Sequence, residues 1–348
     1  MERRVTIRDI AKAAGVHFTT VSRALTKHPC IPAATRERIA KIAVDLGYAP
    51  DPMVSALTNY RIRLKATSFH GNIAWMTNGF TRNGWNSCAT FGLYFEGAKK
   101  RAEQLGYRLE EFWLREPGMS TSRMEEILAA RNIRALIFSP QPGSKMRIRL
   151  SWDRFSAVRL GYTLAWPTLR TVSADCFNAV QVVVRHARSL GYRRLGFVVT
   201  SKSDARVDRA WSGGFLSFQR LWPREEKLPL LSTKVITATN FLKWVKAHRP
   251  DVVVSQELWL LDVLEKNGYS VPRDIGFATP TLTSFSHTRK ISGVNENALE
   301  TGGSAVEAVV AMVQRGESGI PTTIQSVLTR GTWEDGDTLL RKTSETPP

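Results

Sequence analysis

The chain has 348 residues, and its 49 lysines and arginines outnumber its 31 aspartates and glutamates, which gives a formal net charge of +18. This basic balance favours a polyanionic partner such as nucleic acid. Three widely spaced cysteines exclude a disulfide framework, and no apolar run is long enough to span a membrane. The polar, basic start MERRVTIRDI does not resemble a signal peptide, so we expect a cytoplasmic protein with no membrane partner.

The first 25 residues predict two short helices. Thr6 is a natural N-cap, and Asp9 stands three residues later as its partner in a capping box. The first helix is expected to run to about Ala14, where Gly15 supplies the left-handed residue that ends it. A second helix is predicted to begin near Phe18. Two short helices joined by a tight glycine turn form a helix-turn-helix.

The outward positions of the second helix suit the major groove of DNA. They are Phe18, Thr19, Ser22 and Arg23, which together can contact thymine methyls and hydrogen-bond base edges. Residues 1–65 contain twelve Lys or Arg against five Asp or Glu, which favours phosphate binding. The alternative is a pair of short helices that does not bind DNA, because a glycine turn between short helices occurs in many proteins.

A third helix is predicted from Ala33 to Leu46, with Gly47 as its terminator. Its cap is unusual because Pro32, which has no side-chain acceptor, stands where a serine would ordinarily cap the helix. The apolar stripe that closes a three-helix core consists of Ile39, Ile42, Ala43 and Leu46. Asp51-Pro52 then marks a further helix start, an N-cap followed by proline at the first helical position.

These segments, above all VTIRDIAKAAGVHFTTVSRAL and DPMVSALTN, resemble the LacI/GalR family of bacterial transcription regulators. The resemblance implies a homodimer that binds a near-palindromic double-stranded DNA operator. By position it implies base reading by Phe18, Thr19 and Arg23, and backbone contacts by Thr6, His17, Thr20, Ser22, Thr26, Thr35 and Asp51. It also implies a hinge helix in the minor groove, with Val54 beside a wedging Leu57. Alternatively, these apolar residues pack a linker helix.

The remaining sequence alternates between strand and helix patterns. Predicted strands are 72–76, 108–113, 135–139, 195–199 and 252–255; predicted helices are 91–105, 124–130, 179–190, 241–247 and 258–266. Leu-Gly-Tyr-Arg occurs twice between a helix and a strand, at 105–108 and at 190–193. This weak internal repeat predicts an α/β fold with two doubly wound parallel sheets.

The domain organisation follows from the resemblance. It implies a DNA-binding headpiece over 1–49, a hinge helix and linker over 50–66, and an effector-binding and dimerisation domain over 67–348. This last domain is expected to have two lobes of periplasmic-binding-protein type. We assign 67–163 with 292–322 to one lobe, and 164–291 with 323–340 to the other. A cleft between the lobes is expected to bind a small carbohydrate-related effector.

The cleft departs from the pattern of sugar-responsive relatives. Trp211 stands where they carry an arginine, which leaves Arg206 and Arg209 as nearby candidates, and Thr281 lies near the position of a turn aspartate. Glu296 matches a position where the family often has glutamine. Phe80, Trp85 and Phe91 surround the first loop of this domain and are predicted to face the cleft, or else to pack in the core or a subunit interface. The alternative reading is a regulator with a vestigial or partner-controlled sensor.

Sequence motifs for catalysis are missing. We find no phosphate-binding glycine loop, no nucleophile elbow and no metal-spaced cysteine or histidine pairs. We therefore expect a non-enzymatic protein without cofactor or metal; the alternative is a small-molecule hydrolase fused to a DNA-binding module. The segment Thr301-Gly302-Gly303-Ser304 is predicted to allow close packing at a helix start.

Overall fold

The computed structural model describes residues 5–25, 31–48, 71–143, 145–282 and 289–342. Thr26, Asp51, Val54 and Leu57, for which DNA contacts were predicted, lie outside these residues. The chain divides into two compact units: the first contains the described residues before position 49, and the second contains both sheets. Each unit is described by itself.

Three helices form the first unit: α1 (Ile7–Ala14), α2 (Phe18–Leu25) and α3 (Ala33–Asp45). The predicted capping box is confirmed, because the Thr6 side chain accepts from the Asp9 N–H while the Asp9 carboxylate accepts from the Thr6 N–H. Gly15 has a φ of 64° and ends α1 in the left-handed conformation. As the sequence indicated, Pro32 provides no side-chain hydrogen bond to the start of α3.

The core of the first unit joins all three helices. It is formed by Ile10, Ala11, Ala14, Val21, Ala24, Ile39 and Ala43, all buried. The predicted stripe of α3 is wrong at its end, because α3 stops at Asp45 and Leu46 is 39% exposed. Tyr48 packs against this core after Gly47 turns the chain at a φ of 67°. The turn therefore decides which apolar residue closes the core.

Two six-stranded sheets organise the second unit. The first contains β1 (Gly71–Thr77), β2 (Tyr107–Trp113), β3 (Ala135–Phe138), β5 (Ser156–Leu160), β7 (Arg170–Ala174) and β13 (Ser326–Thr329), in the order β13-β7-β5-β3-β1-β2. A separate pair is formed by β4 (Met146–Arg147) and β6 (Leu164–Trp166). Neighbouring strands of the first sheet are all parallel.

The second sheet is parallel except at one edge. It contains β8 (Leu195–Thr200), β9 (Leu231–Thr233), β10 (Val252–Ser255), β11 (Gly276–Leu282), β12 (Ser292–Asn295) and β14 (Thr332–Glu334), in the order β14-β12-β11-β10-β8-β9. Only β14 pairs antiparallel, with β12. Two doubly wound sheets were predicted, and this architecture confirms them.

Helices connect the strands of both sheets. They are α4 (Ala89–Gln104), α5 (Thr121–Ala130), α6 (Cys176–Ser189), α7 (Ser201–Arg206), α8 (Ala210–Gln219), α9 (Ala238–His248), α10 (Trp259–Lys266) and α11 (Ala298–Arg315), with short 3₁₀ turns at Gly84–Ser87, Trp152–Arg154 and Arg224–Glu226. The repeated Leu-Gly-Tyr-Arg ends α4 and α6, where Gly106 and Gly191 have positive φ. In the described ranges, no helix combines the length and apolar character needed to cross a membrane.

The predicted lobe boundaries need correction. Strand β7, assigned to the second lobe by the boundary at 163, pairs with β5 in the first sheet. In the same way β12 belongs to the second sheet and β13 to the first. The chain therefore crosses between lobes after β7, after β12 and after β13, because hydrogen bonding within each sheet overrides a division by sequence blocks.

Helices α4 and α11 pack with their backbones in close approach. A Cβ at Gly97 would lie 1.9 Å from the Leu299 carbonyl oxygen, and one at Gly302 would lie 1.9 Å from the Tyr94 carbonyl oxygen. Only glycine fits at these two positions. The predicted close packing at the Thr301–Ser304 segment is thereby confirmed.

Candidate functional site

The outward face of α2 presents a mixed polar and aromatic surface. Phe18 is 44% exposed although it is a large apolar residue. Thr19, Ser22 and Arg23 are also exposed, whereas Thr20 is half-buried. The three predicted base-reading residues therefore share one accessible surface at and beyond the start of this helix.

His17 caps the start of α2. Its Nδ1 lies 2.9 Å from the Thr19 hydroxyl and accepts from the Thr19 N–H at 3.4 Å. Its ring also packs against Phe18, with 4.3 Å between the centroids. Histidine here therefore supplies the acceptor that a small hydroxyl residue would otherwise provide, and it positions the first two outward side chains of the helix.

Two further predicted backbone-contacting residues are described. Thr6 is exposed, and its hydroxyl donates to the Asp9 carboxylate at 2.7 Å. Thr35 is half-buried near the start of α3. Both stand at or near helix N-termini, where backbone N–H groups and the helix dipole favour phosphate.

A cavity of about 180 Å³ lies between the two lobes of the second unit. It is lined by Cys88, Thr90, Phe91, Tyr94, Pro140, Gly161, Tyr162, Thr163, Ser173, Cys176, Ser203, Arg206, Val207, Trp211, Gln256, Thr281 and Glu296. The lining combines aromatic rings and hydroxyl groups with one arginine and one glutamate. Such a mixture can stack on a ring and hydrogen-bond its substituents.

Five of the eight effector-site candidates line this cavity: Phe91, Arg206, Trp211, Thr281 and Glu296. The other three do not, and the expectation for them is corrected. Phe80 is 76% exposed under the Arg115 guanidinium, and Arg209 is exposed in a left-handed conformation before α8. Trp85 packs in the core, 5.7 Å from Trp75 between ring centroids, and its Nε1 donates to Glu111.

Several lining residues escaped the sequence analysis. Tyr162 and Thr163 follow β5, Ser173 lies near the carboxyl end of β7, and Cys176 begins α6. All stand at or just beyond the carboxyl ends of parallel strands, where ligands bind in open α/β sheets. This rule identifies them only once β5 and β7 are placed, and neither strand was predicted.

Burial dominates the electrostatics of the cavity. It raises the pKa of Glu296 to about 7, against a hydrogen bond with the Thr281 side chain that acts to lower it. Burial also raises the pKa of Tyr94 and of the Cys176 thiol, and the nearby Glu296 adds to both effects. Near neutral pH, Tyr94 and Cys176 are therefore uncharged, while Glu296 is close to its titration point.

Arg206 and Trp211 both line the cavity, but only the donor of Arg206 is paired with acceptors of the protein in the described residues. Nη1 of Arg206 donates to the carbonyl oxygens of Gln141 at 2.9 Å and Pro142 at 3.2 Å, so this side chain of α7 reaches the other lobe. Trp211 is 6% exposed, and its indole Nε1 is buried without an acceptor in the described part of the chain. In that same part, no group of three His, Cys, Asp or Glu side chains is placed to bind a metal ion.

Residues 6–51 match the model of bacterial regulatory proteins of the lacI family. The chain is 29% identical over 106 residues to the HTH-type transcriptional regulator DegA of Bacillus subtilis (strain 168), across 30% of this chain and 27% of DegA. It is 36% identical over 98 residues to the probable HTH-type transcriptional repressor ExuR of the same organism, across 27% of this chain and 29% of ExuR. The match thus spans under a third of either relative.

Solved structures resemble the whole chain in fold. A lac repressor dimer bound to operator and the anti-inducer ONPF has a TM-score of 0.54 at 17% identity, covering 97% of this chain and 100% of that one. The complex of the transcriptional regulator CelR with cellobiose has a TM-score of 0.55 at 16% identity, covering 96% and 100%.

The architecture is a helix-turn-helix domain followed along the chain by two parallel-sheet α/β lobes, and these solved structures share that fold. Residues 6–51 therefore resemble the lacI family of bacterial regulatory proteins, and the rest of the chain is similar to the solved structures in fold alone.

Proposed function

We propose that this protein is a cytoplasmic, homodimeric transcription regulator, acting as a repressor, that binds a near-palindromic operator through two α2 helices. The observation that carries the proposal is the exposed surface of Phe18, Thr19 and Arg23 on a capped helix of a helix-turn-helix. Its chemistry matches base-edge recognition, and the net positive charge of residues 1–65 supports binding to phosphates. Residues Thr6, His17, Thr20, Ser22, Thr26, Thr35 and Asp51 are assigned to the backbone.

We also propose that a small carbohydrate-related effector controls operator affinity from the cavity between the lobes. A ligand that contacts both lobes binds one lobe arrangement better than another, and a coupling of about 1–3 kcal/mol suffices to regulate DNA binding. The cavity itself supports this reading over a vestigial cleft, because polar and aromatic side chains of both lobes line an open space there.

DNA binding is tested by selecting operators from random duplexes with the full chain and measuring affinity by gel shift. Arg23→Ala is expected to weaken specific binding roughly 10- to 100-fold with little effect on random DNA, because a base contact carries sequence information. The exposed Arg224, in the second unit, provides the control variant Arg224→Ala. No enrichment of any sequence, or equal losses in both variants, would refute the proposal.

The hinge assignment has a separate test. Leu57→Ala is expected to weaken operator binding and reduce DNA bending, because the unstacked base step loses its wedge. The affinity for effector should stay unchanged. Unchanged operator affinity and bend would contradict a wedging role for Leu57 and Val54, and would favour the packing of a linker helix instead.

Effector control is tested by thermal shift of the full chain against sugars, sugar phosphates, nucleosides and sugar acids. Ligands that raise the unfolding temperature are then added to the gel shift, where they should change operator affinity. Operator binding that no stabilising ligand changes would leave a DNA-binding protein whose sensor is not controlled by small molecules.

A further inference from the structure

Arg206 is a half-buried cation whose hydrogen-bond partners among the described residues are all neutral. Its Nη1 donates to the backbone carbonyl oxygens of Gln141 and Pro142, at 2.9 and 3.2 Å. Its guanidinium lies 5.8 Å from the centroid of the Phe91 ring. These contacts hold the side chain at the wall of the cavity and orient it, but they supply only partial negative charge.

No carboxylate among the residues that the structure describes forms an ion pair with Arg206. The carboxyl group of Glu296 lines the same cavity but does not form an ion pair with Arg206. Burial lowers the pKa of Arg206, and the nearby Cys88 opposes this effect. A ligand oxyanion would offset this loss, because a guanidinium binds carboxylate or phosphate through paired, charge-assisted hydrogen bonds.

The walls and size of the cavity limit the rest of the ligand. The rings of Phe91 and Tyr94 stack at 6.1 Å between centroids and offer flat apolar surface at the wall. The volume of about 180 Å³ lies below the roughly 300–1,000 Å³ of pockets for drug-sized molecules. One sugar-sized ring fits these limits better than a chain of rings.

We propose that the effector is a monosaccharide-sized acid whose carboxylate or phosphate group pairs with Arg206 while its ring packs against Phe91. The inference rests on the proposed effector function of the cavity. It names the chemical class that the site selects, an acidic sugar over its neutral parent.

Isothermal titration of the full chain with matched pairs tests this selection. The probes are glucuronate against glucose, galacturonate against galactose, and glucose 6-phosphate against glucose; the two kinds of acid distinguish carboxylate from phosphate. At least one acid is expected to bind about 10- to 100-fold more tightly than its neutral parent. The advantage should shrink as ionic strength rises, since charge pairing is screened.

Two variants test whether Arg206 causes the preference for the acid over its neutral parent. Arg206→Gln is expected to weaken binding of the acid at least about tenfold more than binding of its neutral parent, because it removes the charge and the paired donors. Arg206→Lys keeps the charge and is expected to retain part of the preference. Arg224→Gln, at an exposed site of the same lobe, should behave as wild type. Tryptophan fluorescence melts verify folding of each variant.

Three outcomes would overturn the proposal: equal affinity for acid and neutral parent, equal losses for both in Arg206→Gln, or no binding of any acid. Operator binding is measured on the same preparations. A chain that binds operator but prefers neutral sugars contradicts only this inference, whereas a chain that binds no DNA contradicts the proposed function.

Discussion

Glu296 makes the stability of the second unit depend on pH. It is 8% exposed, and burial raises its pKa from 4.5 to about 7. Between these values the folded state holds a proton that the unfolded state releases, so stability is lost as pH rises from about 4.5 through about 7. Replacement by glutamine removes the ionisation and keeps the shape of the side chain.

The size of the effect follows from the shift. A change of about 2.5 pKa units corresponds to roughly 3 kcal/mol once pH exceeds the folded value. Glu296→Gln is therefore expected to differ from wild type by under about 1 kcal/mol near pH 5 and to be more stable by about 3 kcal/mol near pH 8. For a unit of this size that corresponds to a rise in melting temperature on the order of 5–10 °C. Tyr94 and Cys176 stay neutral throughout, since burial raises the pKa of both.

Tryptophan fluorescence is the suitable assay because all ten tryptophans lie at or beyond Trp75, in the second unit. Melts of wild type, Glu296→Gln and the exposed control Glu103→Gln are compared from pH 5 to 8.5. Wild type and Glu296→Gln differ only at position 296, so the difference between their curves isolates Glu296. Parallel curves for wild type and Glu296→Gln would refute the reasoning, as would an equal gain in Glu103→Gln.

Three further predictions concern single side chains. Gly302→Ala is expected to destabilise the second unit by at least about 2 kcal/mol, because its Cβ would lie 1.9 Å from the Tyr94 carbonyl oxygen. In contrast, Gly303→Ala meets nothing closer than 3.6 Å and should gain up to about 1 kcal/mol of helix propensity; equal losses in urea unfolding would argue against close packing. Asp204→Ala removes the acceptor of the Ser212 N–H and hydroxyl, at 3.1 and 2.6 Å, and should cost about 1–3 kcal/mol in the same assay; a cost as large in Asp204→Asn would contradict this account. His17→Ala is expected to cost the first unit about 1 kcal/mol by circular dichroism melts and to weaken operator binding, whereas His17→Asn, which keeps a capping acceptor, should not; identical behaviour of the two variants would exclude the capping role.

The local structure of the first unit could be read from the sequence. Thr6 with Asp9 and the left-handed Gly15 fix both ends of α1 through interactions within a few residues. The alternation of strands and helices in the second unit was equally readable, because apolar periodicity and helix-ending glycines are local signals. The prediction that Leu46 joins the core of the first unit was wrong, because the turn at Gly47 changes the direction of the chain there.

The cavity was only partly predictable. Trp85 and Phe91 lie six positions apart and read alike as apolar aromatics, yet Trp85 packs on Trp75 and Phe91 lines the cavity. An aromatic ring satisfies its need for burial equally in a core and in a pocket, so composition does not separate the two.

The sequence by itself determined the helix-turn-helix, its caps and the alternation of strands and helices, since these depend on patterns among near neighbours in the chain. Only the tertiary structure decided that β7 and β13 join the first sheet, and that Arg206 reaches Gln141 across the cleft. The physical reason is that strand order and cleft geometry depend on three crossings between lobes, which bring together residues far apart in the sequence, as in the ion pair of Arg101 with Glu307. No local pattern encodes such a meeting.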